Sequence, residues 1–186
     1  MSRFGPIKLP PSRIDLAIGR ACRRAANAPE ERSLQVVTWL ADEKFVLTAA
    51  AAIWLASRYG STRSLREEAD RMVVSVLIAG ALPHVIKLFV RRRRPDRSLV
   101  RGRRNGVPRS GDAWDSFPSG HALHVAAVAP SIARMSPLWT KPLVWSGSAA
   151  LAASRVMLLA HYASDVFAGW TVGVLINRAV AAFTRR

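Results

Sequence analysis

Three short clusters of charged and polar residues lie at the edges of long apolar runs. In the first, Lys87 and Arg94 are seven residues apart, and Pro95 disfavours helical geometry at Arg94. The helix should end there, so both cations point toward the same end of it. In the second, Ser119 is a good N-cap residue and Gly120 leaves its backbone N–H open to a ligand. A helix N-terminus of this kind binds anions.

The third cluster combines Arg155 with His161 and Asp165. His161 and Asp165 are four residues apart, which on a helix makes them neighbours on one face. A carboxylate beside an imidazole fixes its tautomer and stabilises its cation. With His121 of the second cluster, the three clusters supply three cations, a hydroxyl, open N–H groups and two histidines. This set predicts a phosphate site with one nucleophile and one acid.

The elements that must position these clusters are five apolar runs, over residues 45–57, 72–90, 117–133, 142–164 and 166–184. A helix of about 20 residues crosses the ~30 Å hydrocarbon core of a bilayer. Spans of alternating direction bring the ends that carry the clusters to one side of the membrane. The sequence therefore predicts an all-α, polytopic membrane helix bundle of about five transmembrane helices, with six possible.

The N-terminal residues 1–40 are predicted to form a separate basic segment, and residues 41–186 the membrane-embedded domain. Within the segment, Ile14 and Ile18 share one helical face, whereas Arg20 and Arg24 lie on the opposite face. This pattern predicts an amphipathic helix on an anionic membrane surface. A solvated helix docked on its own domain is the alternative.

Composition excludes several classes of protein, cofactor and partner. The chain has 28 Lys and Arg against 12 Asp and Glu, yet half its residues are hydrophobic, which excludes a mainly disordered chain. The single cysteine, Cys22, excludes an intramolecular disulfide. No metal or other cofactor is expected, because the three cations would repel a metal ion. The arginine-rich loop has no aromatic residue before Trp114, which argues against nucleic acid as a partner.

Eleven positions of the three clusters resemble, in order and without departure, the signature of the type 2 phosphatidic acid phosphatase family, which vanadium haloperoxidases share. They are Lys87, Arg94, Pro95, Pro118, Ser119, Gly120, His121, Ser154, Arg155, His161 and Asp165. The resemblance implies a metal-independent phosphatase with a phosphohistidine intermediate. His161 would be the nucleophile, Asp165 would hold its far ring nitrogen, and His121 would protonate the leaving alkoxide and then activate water. The phosphoryl oxygens would be bound by Lys87, Arg94, Ser119, Gly120 and Arg155.

The resemblance thus implies a membrane-bound hydrolase of a lipid phosphate or diphosphate, with phosphatidic acid, phosphatidylglycerophosphate, polyprenyl (di)phosphates and lipid A phosphates as candidate substrates. The expected partners are this lipid and the surrounding membrane lipids, while the oligomeric state stays open. One alternative is a vanadium-dependent haloperoxidase, against which the membrane spans and short loops argue. The other is a non-catalytic basic membrane anchor that binds anionic lipid, against which the intact histidines argue.

The expected location is a bacterial plasma membrane. Eight basic residues precede the first run and nine lie in the loop 91–109, against nine on the opposite side. The positive-inside rule therefore favours a site that faces the cytoplasm. Many members of the family have six spans and an extracytoplasmic site, from which this prediction departs.

Overall fold

The computed structural model describes residues 5–25, 28–95 and 112–184, without the side chains of residues 28–32. These residues form seven α-helices and two short strands: β1 (Ile7–Lys8), α1 (Arg13–Ala25), α2 (Ala28–Thr38), α3 (Glu43–Ser57), α4 (Arg63–Phe89), β2 (Val90–Arg91), α5 (Gly120–Met135), α6 (Lys141–Met157) and α7 (Ala163–Phe183). Five basic residues of the loop 91–109 lie outside the described residues: Arg97, Arg101, Arg103, Arg104 and Arg109.

Each of the five apolar runs corresponds to a helix, but the helices differ in length. Among the described residues, α4 and α7 are long and apolar enough to cross a membrane. Helices α3, α5 and α6 have 15, 16 and 17 residues, fewer than the ~20 that a span usually needs. Helix α5 begins only at Gly120, inside its apolar run, because Ser119 caps it. Helix α6 ends at Met157, before Leu159 adopts a φ of 53°. The helical class is confirmed, while the count of five spans stays a prediction.

A small sheet joins the N-terminal segment to the end of α4. Strand β1 pairs in parallel with β2, with Ile7 opposite Val90 and Lys8 opposite Arg91. Arg92 continues the chain in a bridge to Asp115. The all-α prediction did not include this pairing, because two-residue strands leave no periodic pattern in the sequence. The pairing fixes the polypeptide just before Arg92, and the Arg94 N–H, which donates to the carbonyl of Ala113 at 2.8 Å, fixes it just after.

Helices α5 and α7 form the closest seam of the bundle. A Cβ atom on Gly173 would lie 2.3 Å from the carbonyl oxygen of Leu123, and one on Gly169 would lie 2.5 Å from that of Ser119. Glycines four residues apart on one helix let two backbones approach in this way. In addition, the Ser119 N–H donates to the carbonyl of Asp165 at 3.2 Å. The start of α5 is therefore held against the first turn of α7.

A buried polar network stabilises the opposite end of the bundle. The side-chain amide of Asn177 donates to the carbonyl of Ala127 at 2.8 Å and to Ser131 Oγ at 2.9 Å. Its carbonyl accepts from Arg134 at 2.6 Å, and Arg134 also pairs with Glu68 at 2.8 Å. These bonds satisfy polar groups that would be costly to leave unpaired among apolar helices.

Candidate active site

The three sequence clusters meet on one side of the bundle, where α4 and α6 end and α5 and α7 begin. Arg94 Nη1 lies 3.3 Å from His161 Nε2 and joins the first cluster to the third. The hydrogen bond from Ser119 to Asp165 joins the second to the third. Lys87 lies near the same group, since its Nζ is 3.9 Å from the carboxylate of Asp115. The topology predicted from the alternating runs is therefore the one that brings these residues together.

His161 is buried and oriented through both ring nitrogens. Its Nδ1 lies 2.6 Å from the carbonyl oxygen of Ser116, a group that can only accept, so Nδ1 carries the proton. This tautomer leaves the lone pair of Nε2 directed at the Arg94 guanidinium. The backbone of the loop is fixed by Arg155, whose carbonyl accepts the N–H groups of Ala160 and His161 at 3.0 and 3.3 Å. Nε2 is the atom placed to attack an anion bound by Arg94.

Asp165 does not hold the imidazole as predicted. One carboxylate oxygen accepts from Ser116 Oγ at 2.6 Å and from the Tyr162 N–H at 2.9 Å, and the other accepts from Arg92. Because α7 begins only at Ala163, His161 precedes the helix and the two side chains do not share a helical face. Asp165 instead occupies the first turn, where a carboxylate caps free N–H groups. Its connection to His161 runs through Ser116.

The protonation state of His161 follows from its surroundings. Burial holds the pKa of its imidazole well below the usual range, and the charges of Arg94 and Arg155 act in the same direction. The hydrogen bond to Ser116 opposes them only in part. The ring is therefore neutral near pH 7, as a nucleophile must be.

The Arg94 side chain is held by groups that leave it its positive charge. The Arg94 guanidinium donates to the carbonyl oxygens of Ala160, Asp112 and Asp115 at 2.9, 3.2 and 3.3 Å. Neutral carbonyls orient it without cancelling its charge, so it can still bind a phosphoryl oxygen. Arg155 is buried, whereas Arg94 is half-buried, and the charge of Arg155 acts on His161.

The N-terminus of α5 supplies a second set of donors. Ser119 is buried, and its Oγ accepts from the Ala122 N–H at 3.5 Å as the N-cap. The preceding N–H groups, at Gly120 and His121, belong to the first turn and have no carbonyl partner within the helix. His121 itself is half-buried and interacts electrostatically with Arg155, Arg94 and Lys87. An imidazole so placed can exchange a proton with a group bound by these cations.

Sequence reasoning missed Arg92, Ser116 and Asp15. Arg92 was counted among the arginines of a polar loop, yet its side chain is buried and binds Asp165. Asp15 is the only acidic residue of α1, and the spacing from Ser12 is that of a capping box, a signal that could have drawn attention to it. Nothing in the local sequence distinguishes Ser116. Within the described residues, no group of three or more His, Cys, Asp or Glu side chains could hold a metal ion.

Two relatives of the chain are phosphatases whose names specify a phosphate attached to a lipid. The chain is 29% identical over 164 residues to a lipid A 1-phosphatase of Rhizobium johnstonii, which is 80% of this chain and 65% of that protein. It is 34% identical over 103 residues to a decaprenylphosphoryl-5-phosphoribose phosphatase of Mycobacterium tuberculosis, 55% of this chain and 54% of that one. The chain thus spans less than two thirds of the first relative's length and about half of the second's.

Two solved structures share the fold. Aquifex aeolicus LpxE superposes with a TM-score of 0.72 at 16% identity, covering 90% of this chain and 94% of that one. A PAP2-type phosphatidylglycerolphosphate phosphatase from Bacillus subtilis superposes with a TM-score of 0.67 at 22% identity, covering 91% of this chain and 83% of that one. The family model of the PAP2 superfamily matches residues 70–186, which contain all eleven positions of the signature. The chain belongs to the PAP2 superfamily.

Proposed function

We propose that this protein is a membrane-bound phosphatase that hydrolyses a lipid phosphate or diphosphate through a phosphohistidine intermediate on His161. The observation that carries the proposal is the environment of that ring. Its Nδ1 proton is fixed on Ser116, its pKa is held low, and its Nε2 faces the guanidinium of Arg94. A neutral nucleophile beside a cation is what attack on a phosphate anion requires.

The reaction follows in two displacements. In the first, Nε2 of His161 attacks phosphorus, the bond to the lipid oxygen breaks, and His121 gives its proton to the leaving alkoxide. In the second, His121 takes a proton from water, the water oxygen attacks phosphorus, and the P–N bond breaks to release phosphate and neutral His161. Lys87, Arg94, Arg155 and the N–H of Gly120, at the N-terminus that Ser119 caps, stabilise the charge on the phosphoryl oxygens in both steps. Asp165 contributes by holding Ser116, which orients the nucleophile.

The substrate class is supported by the named relatives and by the position of the site. A lipid A 1-phosphatase, a polyprenyl-linked phosphatase and, in Sulfolobus acidocaldarius, an undecaprenyl-diphosphatase all act on a phosphate attached to a lipid. A site at the ends of apolar helices suits such a substrate, because the lipid tail stays in the bilayer while the phosphate reaches the cations. The relatives span monophosphates and diphosphates, so both belong to the proposal.

We expect the reaction to need no metal, since the three cations supply the charge that metal ions supply in many phosphoryl transfers. The haloperoxidase alternative has no support among the named relatives. It predicts halide oxidation that depends on added vanadate. The anchor alternative predicts lipid binding that survives His161→Ala with no turnover in any variant.

The membrane arrangement is also a proposal. We place α3 to α7 in the bilayer as five spans, with residues 41–186 as the embedded domain and α1, in residues 1–40, at the surface of a bacterial plasma membrane. The excess of basic residues on the site's side supports a cytoplasmic site, although Arg92 and Arg94 are committed to the site itself. The C-terminus would then lie on the opposite face. A reporter fused after Arg186 that is active only in the cytoplasm would overturn this orientation.

The experiment that tests the function is phosphate release by detergent-purified protein in excess EDTA. The panel contains phosphatidic acid, phosphatidylglycerophosphate, undecaprenyl phosphate and diphosphate, and lipid A. Wild type should release phosphate from at least one, His161→Ala should release none, and His84→Ala serves as the matched histidine control. An acid-labile phosphoenzyme should form from labelled substrate only when His161 is present. EDTA-sensitive release, or release that persists in His161→Ala, would contradict the proposal.

A further inference from the structure

A buried ion-pair network connects the N-terminal helix to the loop that carries the nucleophile. Asp15, Arg92 and Asp165 have side-chain exposures of 1%, 3% and 0%. Arg92 Nη2 donates to Asp15 Oδ2 at 2.7 Å, and its Nη1 donates to the carboxylate of Asp165. One guanidinium is thus shared by two carboxylates, one from α1 and one from α7.

Arg92 holds Ser116 in two ways, directly through its backbone carbonyl and indirectly through its guanidinium, which binds Asp165. Its carbonyl accepts the Ser116 N–H at 3.0 Å, while Ser116 Oγ donates to Asp165, the residue bound by the guanidinium. The carbonyl of Ser116 then receives Nδ1 of His161. Ser116 is therefore fixed at its N–H and its hydroxyl by groups that depend on Arg92, and its remaining polar group orients the nucleophile.

Asp15 anchors this network to α7. Its Oδ1 accepts the Ser164 N–H at 2.9 Å, and its Oδ2 accepts from Ser164 Oγ at 2.7 Å. Ser164 Oγ also accepts from Arg92 at 2.7 Å. Burial alone would raise the pKa of Asp15, but hydrogen bonds from Ser164 and Ser12 hold it below the usual range, so the carboxylate stays charged. The negative charge also suits its place at the start of α7.

Buried ion pairs are weak contributors to stability, because the cost of removing two charges from water offsets their attraction. What a bidentate guanidinium supplies reliably is a fixed geometry. We propose that Asp15 and Arg92 are positioning residues for His161, so that α1, which lies outside the family match over residues 70–186, is part of the working site. The inference rests on the proposed phosphatase function.

The test compares three variants of the network with a matched ion-pair variant elsewhere. Asp15→Asn removes one charge. Arg92→Lys keeps the positive charge but loses the planar guanidinium that binds two carboxylates at once. Ser164→Ala removes one hydroxyl without leaving a buried charge unpaired. Glu68→Gln breaks the pair with Arg134 at the other end of α4, about 28 Å from Lys87 along the helix. Each is assayed for kcat, KM, thermal midpoint, and stabilisation by orthovanadate, which mimics the pentacoordinate phosphoryl group.

Positioning predicts that kcat falls on the order of 10- to 100-fold in Asp15→Asn and Arg92→Lys, with KM within about twofold. Vanadate stabilisation should weaken in both, and Ser164→Ala should show a smaller change in the same direction. Glu68→Gln should lower the thermal midpoint without changing kcat. The inference is overturned if kcat in Asp15→Asn and Ser164→Ala equals that of wild type, or if activity falls only in step with the thermal midpoint. A wild type without turnover that still binds vanadate would instead count against the proposed function.

Discussion

The backbone N–H of Ser119 donates to the carbonyl of Asp165 at 3.2 Å, and this bond fixes the start of α5, the proposed anion site, beside the first turn of α7. The loop with His161 leads directly into that turn. The distance between the groups proposed to bind the phosphoryl oxygens and the proposed nucleophile is therefore set by one helix–helix seam.

The close packing of α5 against α7 predicts that the effect of a Gly→Ala substitution on stability depends strongly on which glycine is replaced. Gly173→Ala should destabilise the protein by about 1–3 kcal/mol and lower activity, because the new methyl group would meet the Leu123 carbonyl. Gly147→Ala in α6 is the matched control, since its Cβ would meet nothing within 4 Å and alanine is the better helix former. Thermal midpoints in detergent and phosphate release would be measured side by side. Equal effects at the two glycines would contradict the close packing.

The role of His121 as an acid predicts a dependence on the leaving group. His121→Ala should slow the hydrolysis of an alkyl lipid phosphate by ~10²–10⁴-fold, because the alkoxide then leaves without a proton. Formation of the phosphoenzyme from p-nitrophenyl phosphate, whose phenolate leaves unaided, should be affected far less. Single-turnover labelling with both substrates makes the comparison. An equal loss with both would assign His121 to binding rather than to proton transfer.

The network around Asn177 should affect stability without affecting chemistry. Asn177→Ala removes the hydrogen bond that Asn177 donates to the Ala127 carbonyl and the one that it accepts from Arg134, which should cost about 1–3 kcal/mol. The measurement is the free energy of unfolding in mixed micelles, with exposed Ser146→Ala as the control. Variant protein that remains folded should keep the kcat of wild type, because the network lies at the far end of α7. A loss of kcat at unchanged stability would show that this network acts on the site.

Burial of neutral His161 predicts that the protein loses stability in mild acid. The folded pKa lies below the unfolded value of about 6.5, so the unfolded chain binds the proton more readily. The contribution of this residue is fully present above pH 6.5 and is lost progressively as the pH falls toward the folded pKa. Thermal midpoints between pH 7.5 and 5 should decline less steeply in His161→Gln than in wild type. Parallel declines would show that His161 is not held neutral.

Much of the site could be predicted from sequence because its residues lie in short segments with strong local signals. Pro95 is not what ends α4, because that helix already stops at Phe89, where the chain enters β2. Ser119, by contrast, marks the start of α5, and runs of alternating direction bring the helix ends to one side. These arguments correctly place Arg94 beside His161. They need only local chemistry and the topology of the bundle.

The rest depends on contacts between distant segments. The four-residue spacing of His161 and Asp165 suggested a shared helical face, but the helix begins between them and the carboxylate turns back to cap it. The partners of Arg92 come from α1 and α7, so no local pattern separates it from the surface arginines beside it. Spacing alone cannot tell a buried guanidinium from an exposed one.

The short helices have a consequence for the surrounding lipid. At ~1.5 Å per residue, α3, α5 and α6 span about 22–26 Å, less than the ~30 Å thickness of an average hydrocarbon core. If all three cross the membrane, the bilayer beside them must thin or their flanking residues must extend to meet it. Thinning would lower the headgroup plane toward Lys87 and Arg94, so hydrophobic mismatch would help deliver a phosphate to the site. The rate in vesicles would then depend on the acyl length of the host lipid.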